Sequence, residues 1–207
     1  MIRHALAALC LCLLPLAATA QELPALYDVT GVATNDTLNV RAGPSTDFDV
    51  VDKLAPDARE VEVVDLNDEG DWALISTAEG RGWVALRYLA RAGGQPAEGL
   101  PRQLSCSGTE PFWGFSLRPD RSAEFSRPEQ SVAFASVLDV PSQNRTDRYA
   151  LFADGGKSKT VITALVSRNL CSDGMSDRAY GLSIDMLVTD EKAVTLYSGC
   201  CSVKASP

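Results

Sequence analysis

The chain has 207 residues, with 27 Asp and Glu against 19 Lys and Arg and a formal net charge of −8. An acidic chain repels nucleic-acid phosphates and anionic lipid surfaces, so nucleic-acid binding is excluded as a leading role. Its one histidine, His4, stands at the extreme start, which removes Ser-His and Cys-His catalysis, imidazole metal ligands and the ordinary pH switch from all that follows.

Arg3 and His4 precede an apolar run, Ala5 to Ala17, broken only by Pro15, and then Ala18-Thr19-Ala20. This is the charged start, apolar middle and small-x-small end of a secretory signal. The run is too short to span a bilayer, and no later stretch is long enough either. Residues 1–20 are therefore expected to be a signal peptide, cut after Ala20. Cys10 and Cys12 each follow Leu inside the apolar run, the wrong setting for lipidation. The mature chain from Gln21 is expected to be periplasmic or secreted and monomeric, with no membrane span, no metal and no cofactor.

Residues 21–92 carry 14 acids and 6 bases, a net of −8, whereas residues 93–207 carry 13 acids and 12 bases. The acid excess of the first part serves solubility or attracts amines, such as the free amino groups of cell-wall peptides. Leu38, Val40 and Ala42 alternate with Asn39 and Arg41, the pattern of a half-buried strand, and Gly43-Pro44-Ser45 forces a turn. Val61 to Val64 and Trp72 to Ile75 read as further short strands between Asp, Asn and Gly. Gly70-Asp71-Trp72 and Gly80-Arg81-Gly82-Trp83-Val84 complete a set that, with Leu38 to Pro44, resembles the bacterial SH3 domain over about residues 27–91. The resemblance implies a small barrel of five or six strands, in a family where some members bind peptidoglycan. Trp72 and Trp83 are core or rim aromatics of such a barrel. Asn39 and Arg41 either shape the following loop or line a groove for a peptide carboxylate, Arg41 supplying the donor fork. Asn39, Arg41, Trp72 and Trp83 are thus the candidate ligand-binding residues. Asp47 and Asp49 are solvated loop acids or partners for an amine.

Arg91 to Pro101 holds three Gly and two Pro, and residues 93–102 read as a linker, long enough as a coil for two domains to reorient. Beyond it, Phe112 to Leu117, Ala123 to Phe125, Val132 to Val140, Tyr149 to Phe152, Thr160 to Val166, Leu182 to Val188 and Val194 to Tyr197 are expected strands. The fold class is all-β: an SH3-like small barrel over residues 21–92, then a second, disulfide-stapled antiparallel β-barrel over residues 103–207.

Two clusters mark this second part: Cys106-Ser107-Gly108-Thr109-Glu110-Pro111-Phe112-Trp113 and Cys171-Ser172-Asp173-Gly174-Met175-Ser176-Asp177-Arg178. With Gly199-Cys200-Cys201 they resemble an uncharacterised family of small exported bacterial domains, over about residues 103–203. The pattern of that family often places Pro after the Tyr that follows Ser-Asp-Arg; here Tyr180 is followed by Gly181. The resemblance brings no activity with it. Cys106, Cys171, Cys200 and Cys201, an even number in an exported chain, are expected to form two disulfides. A bridge between the adjacent Cys200 and Cys201 is strained, which leaves two pairings open. A possible site gathers Glu110, Trp113, Asp173, Asp177 and Arg178. Its acids could serve as an acid–base pair, hold a cation with too few ligands for a known calcium loop, or fix turns. Glu110 with Arg178 is a candidate buried ion pair, Trp113 a plug at the barrel floor and Met175 a packing residue. Arg118, Arg121 and Arg127 are expected to be solvated. No catalytic residue is assigned.

The function expected from this reading is non-catalytic binding in the cell envelope, to peptidoglycan or to an envelope peptide or protein. The second domain would hold a protein partner or small ligand. The alternatives are a peptidoglycan hydrolase using Glu110 with Asp173 or Asp177, and an inhibitor of a wall-degrading enzyme presenting the Cys171–Arg178 loop.

Overall fold

A computed structural model describes residues 22–77, 80–128 and 130–204; the expected leader and its cleavage site lie outside them. Two antiparallel sheets account for the fold. The first contains β1 (Ala25–Val29), β2 (Leu38–Arg41), β3 (Val50–Leu54), β4 (Val61–Leu66), β5 (Trp72–Ser76), β6 (Arg81–Ala85) and β7 (Leu89–Arg91), in the order β3-β2-β6-β5-β4-β1-β7. Alternation decides the inside: Ala25, Tyr27 and Val29 of β1, Leu38 and Val40 of β2, Val63, Ala73, Ile75 and Val84 form one buried cluster. Leu74, between two core residues of β5, points the other way and is nevertheless buried.

The second sheet contains β8 (Leu104–Thr109), β9 (Phe112–Leu117), β10 (Ala123–Arg127), β11 (Gln130–Phe134), β12 (Val137–Pro141), β13 (Arg148–Asp154), β14 (Val161–Cys171), β15 (Tyr180–Thr189) and β16 (Val194–Ser202). Its order is β11-β10-β9-β8-β16-β15-β14-β13-β12. Every neighbouring pair is antiparallel, including the first strand β8 against the last, β16. Stepping round that order, β11 and β12 must point the same way. They are consecutive, with only Ala135 and Ser136 between them. The run expected as one strand is thus one direction of chain, kinked in the middle. Its first half pairs with β10 and its second with β13, which brings an eight-fold antiparallel arrangement close to a closed barrel. A barrel of eight strands is just wide enough to be filled by side chains. Phe115, Phe134, Leu151, Ile162, Leu182, Ile184 and Met186 fill this one.

The motifs of the second domain find their physical reason here. Trp113 is 6% exposed and packs against Phe125 and Tyr197, with ring centroids 6.5 and 5.8 Å away. Its indole lies across two glycines on neighbouring strands. A Cβ at Gly108 would stand 2.1 Å from Trp113 Nε1, and one at Gly199 would stand 2.7 Å from its ring. The disulfides join Cys106 to Cys201 and Cys171 to Cys200, which selects one of the two open pairings. The first staples directly opposed residues where β8 meets β16, at the closure of the barrel. The second ties the end of β14 to β16, the two strands that flank β15. Each closes a loop worth roughly 2–4 kcal/mol.

The linker is stitched down rather than free. The Gln95 side chain acts like a peptide group, accepting from Leu26 N and donating to Leu26 O at 2.7 and 2.8 Å. Arg91 donates to Pro96 O, and Gly99 N to the Glu22 carboxylate. Composition marks Gly and Pro as freedom; the partners supplied by the neighbouring strands remove it. Between the sheets, Glu62 accepts from Ser202 Oγ and from Val203 N. Ser76 Oγ donates to Ala179 O, and Val64, Leu74 and Ala179 form a small cluster. Gly181 is the second residue of β15, and a Cβ there would meet Pro24 at 2.8 Å. The residue after Tyr180 is thus small where the first sheet leans on the second.

Candidate functional site

β2 carries the first candidates on its outward side. Leu38 and Val40 face the core, so Asn39 and Arg41 face away, each partly exposed. Beside them a cavity of about 260 Å3 is lined by Asp36, Asn39, Arg41, Trp72, Arg87 and Tyr88, among others. Arg41 donates to Phe48 O at 2.7 Å, which holds the guanidinium upright across the β2–β3 loop. Arg87 lies 4.7 Å over the ring of Tyr88. Asn39 makes no side-chain hydrogen bond to another described residue. The Trp72 backbone is fixed at the mouth through Asn67, whose side-chain Oδ1 accepts from Trp72 N at 2.9 Å. The charged groups lining the cavity are Arg41, Arg87 and Asp36. Two guanidiniums against one carboxylate make a locally cationic hollow in a strongly acidic stretch of chain.

The fourth candidate is elsewhere. Trp83 stands on β6 opposite Arg41 in register, yet its ring packs with Val64, Leu74 and Ala179 at the seam. Sequence reasoning missed Arg87 and Tyr88. Their available signal was position, just after the Trp83-Val84-Ala85 strand, where a short turn brings the chain back to the mouth of β2. Asp47 accepts from Ser45 Oγ within its own turn.

The second group does not assemble as one site. Asp173 accepts from Met175 N, Ser176 N, Ser176 Oγ and Tyr180 Oη, at 3.0, 2.8, 2.8 and 3.2 Å. Burial pushes its carboxyl up, but the two amides and two hydroxyls outweigh burial and hold it below the usual carboxylate range. Asp173 is the hub of its own loop. Thr109 Oγ1 donates to Asp173 O at 3.3 Å, placing the Glu110 turn beside that loop. Trp113 belongs to the barrel interior, and Asp177 rests against Gly80 in the turn between β5 and β6.

Several side chains depart from expectation. Glu110 and Arg178 are both exposed and form no ion pair with each other; Arg178 stacks 5.6 Å from the Tyr180 ring. Met175 is 68% exposed, because Asp173 and Gly174 turn the loop outward. Arg118 is exposed as expected while pairing with Glu124, whereas Arg121 and Arg127 are only partly exposed and pair with Asp139 and Asp190.

Among the described residues, no group of three or more His, Cys, Asp or Glu could hold a metal ion. No helix among them is long and apolar enough to cross a membrane.

Comparison with known proteins addresses the first sheet. Residues 36–90 match the family model of the bacterial SH3 domain, and β1 and the last residue of β7 extend the sheet beyond that match on either side. The chain is also 33% identical, over 141 residues and 66% of its length, to a Bacillus subtilis (strain 168) protein named "Putative N-acetylmuramoyl-L-alanine amidase YrvJ". The aligned stretch is 26% of that protein, so the chain spans about a quarter of its length. No solved structure matches.

Proposed function

We propose, from the premise that residues 36–90 are a bacterial SH3 domain, that the chain is a non-catalytic binding protein of the cell envelope. Its cationic cavity would hold a carboxylate-bearing peptide of peptidoglycan. The observation that carries this reading is the pairing of Arg41 and Arg87 around one hollow with a single opposing acid, Asp36. Arg41 presents the remainder of its fork to a carboxylate, Asn39 supplies an unclaimed amide, and Trp72 offers a flat apolar wall. The name carried by the Bacillus subtilis relative and the two disulfides favour the cell wall and an extracytoplasmic setting.

Acid catalysis by Asp173 is disfavoured by its surroundings. A glycosidase needs an acid raised towards neutrality. Asp173 is lowered. Glu62 is raised by burial, but it is closed into the seam by Ser202 and Val203. A second reading, inhibition of a wall-degrading enzyme, is favoured by the Cys171–Arg178 loop, which is anchored by a disulfide and by Asp173 while exposing Met175.

Co-sedimentation with peptidoglycan sacculi, with the supernatant assayed for released muropeptides, separates these readings. The chain should pellet without releasing fragments, and Arg41→Ala with Arg87→Ala should lose most of the pelleting while keeping the fold. Release of muropeptides would replace binding by hydrolysis. Unchanged pelleting of the double variant would remove the cavity from the function. A soluble chain that instead inhibits lysozyme would favour the second reading.

A further inference from the structure

A second cavity, of about 310 Å3, lies where both sheets and the linker meet. Its walls include Pro24 and Leu26 of the first domain, Pro96 and Pro101 of the linker, and Pro119 and Val203 of the second. The volume is at the low end for small-molecule sites, which favour domain interfaces. The walls are held in place before any ligand arrives. Arg168 of β14 donates to Leu23 O and Gly99 O and pairs with Glu22 at 3.0 Å. Arg91 donates to Glu22 O and Pro96 O. Proline walls and stitched backbone lose little entropy when a ligand binds.

The charges lining this cavity are Arg91, Arg102 and Arg168 against Glu22 and Glu60. Glu22 is already neutralised by Arg168 and by Gly99 N. Arg102 is exposed and pairs with no other described residue. Arg168 also carries the one buried side-chain nitrogen or oxygen that lacks a hydrogen-bond partner among the described residues, its Nε.

We infer that this interdomain cavity is a binding site for a small monocarboxylate with a compact apolar body. The carboxylate is met by the unpaired guanidinium of Arg102, and the body rests on the proline wall. Three guanidiniums against two carboxylates leave the lining one positive charge in excess, which matches a single negative charge on the ligand. The ligand touches both domains and the linker, so its binding holds the seam closed.

The test uses the disulfide-bonded full chain carrying Arg41→Ala and Arg87→Ala, so that the SH3 cavity does not contribute. Calorimetric titration with N-acetyl-alanine should give saturable one-site binding in the millimolar range or tighter. N-acetyl-alanine methylamide, the same body without the charge, should bind at least tenfold more weakly, and inorganic phosphate not at all. Arg102→Gln, at an exposed position, should weaken N-acetyl-alanine several-fold without lowering the melting temperature. Absence of saturable binding up to about 10 mM would overturn the site. Equal affinity for the uncharged amide, or full affinity in the Arg102→Gln chain, would overturn the carboxylate as its ligand.

Discussion

The two barrels reach stability by different routes. The first has a small core of Val, Ala, Ile, one Leu and one Tyr, no disulfide, and two strand residues, Val64 and Leu74, whose outer faces are buried with Trp83 and with Ala179 of its neighbour. The second fills its interior with aromatics and long aliphatics and is cross-linked twice, once where β8 meets β16 and once across β15. Small domains bury too little surface to be comfortable alone. Here one compensates by leaning on its neighbour and the other by cross-links. The first domain also keeps a polar cavity open at its rim, whereas the second closes over its own aromatic plug.

If that contrast holds, Trp113→Ala should be the most damaging change, costing about 3–5 kcal/mol. It empties the space against Phe125, Tyr197, Gly108 and Gly199. The remaining tryptophans, Trp72 and Trp83, both belong to the first domain, so circular dichroism and tryptophan fluorescence should report different transitions in this variant. A single coincident transition at the wild-type midpoint would break the comparison. Replacing Cys171 and Cys200 together by Ser should cost roughly 2–4 kcal/mol, seen as a lower urea midpoint for the second barrel. An undiminished midpoint would mean that the staple adds nothing to an already closed sheet.

The smallest effect sharpens the seam. Burial raises Glu62 above its ordinary 4.5, against the pull of Ser202 Oγ and Val203 N. A carboxyl raised on folding contributes stability that is fully present below its unfolded value and lost as pH rises through its folded value. Glu62→Gln should therefore lie within about 1 kcal/mol of wild type below pH 4.5 and gain relative to it as pH rises towards 7. Urea titrations at pH 4 and pH 7 measure this. A difference that does not change with pH would show that the carboxyl does not titrate in the seam.

Much of the strand content was legible because alternation is a local property. Phe112–Leu117 coincides with β9, and the expected runs in β4, β5, β13, β15 and β16 fall inside the observed strands. β8 was missed since Ser105, Ser107 and Gly108 mask its alternating Leu104 and Cys106. The strands β12 to β16 were legible as apolar but not as one-sided. Leu138, Phe152, Leu187 and Leu196 share one outward register row with Thr163 and are exposed. Three of the four SH3 candidates lie at or beside one cavity. Trp83 does not, because the face it occupies is decided by what packs on it.

The sequence by itself determined that the chain is all-β, that a bacterial SH3 domain occupies its first part, and that four cysteines serve the second. Each of these rests on residue type and short spacing, which the chain carries without folding. Tertiary structure alone decided the disulfide pairing, the kinked strand that brings the second barrel near closure, and the stitched linker. It also turned Asp173 inward as a loop hub and drew Arg87 to Arg41. Except for the local Asp173 loop, these depend on contacts between residues far apart in the chain, whose partners are fixed only once the strands find their register.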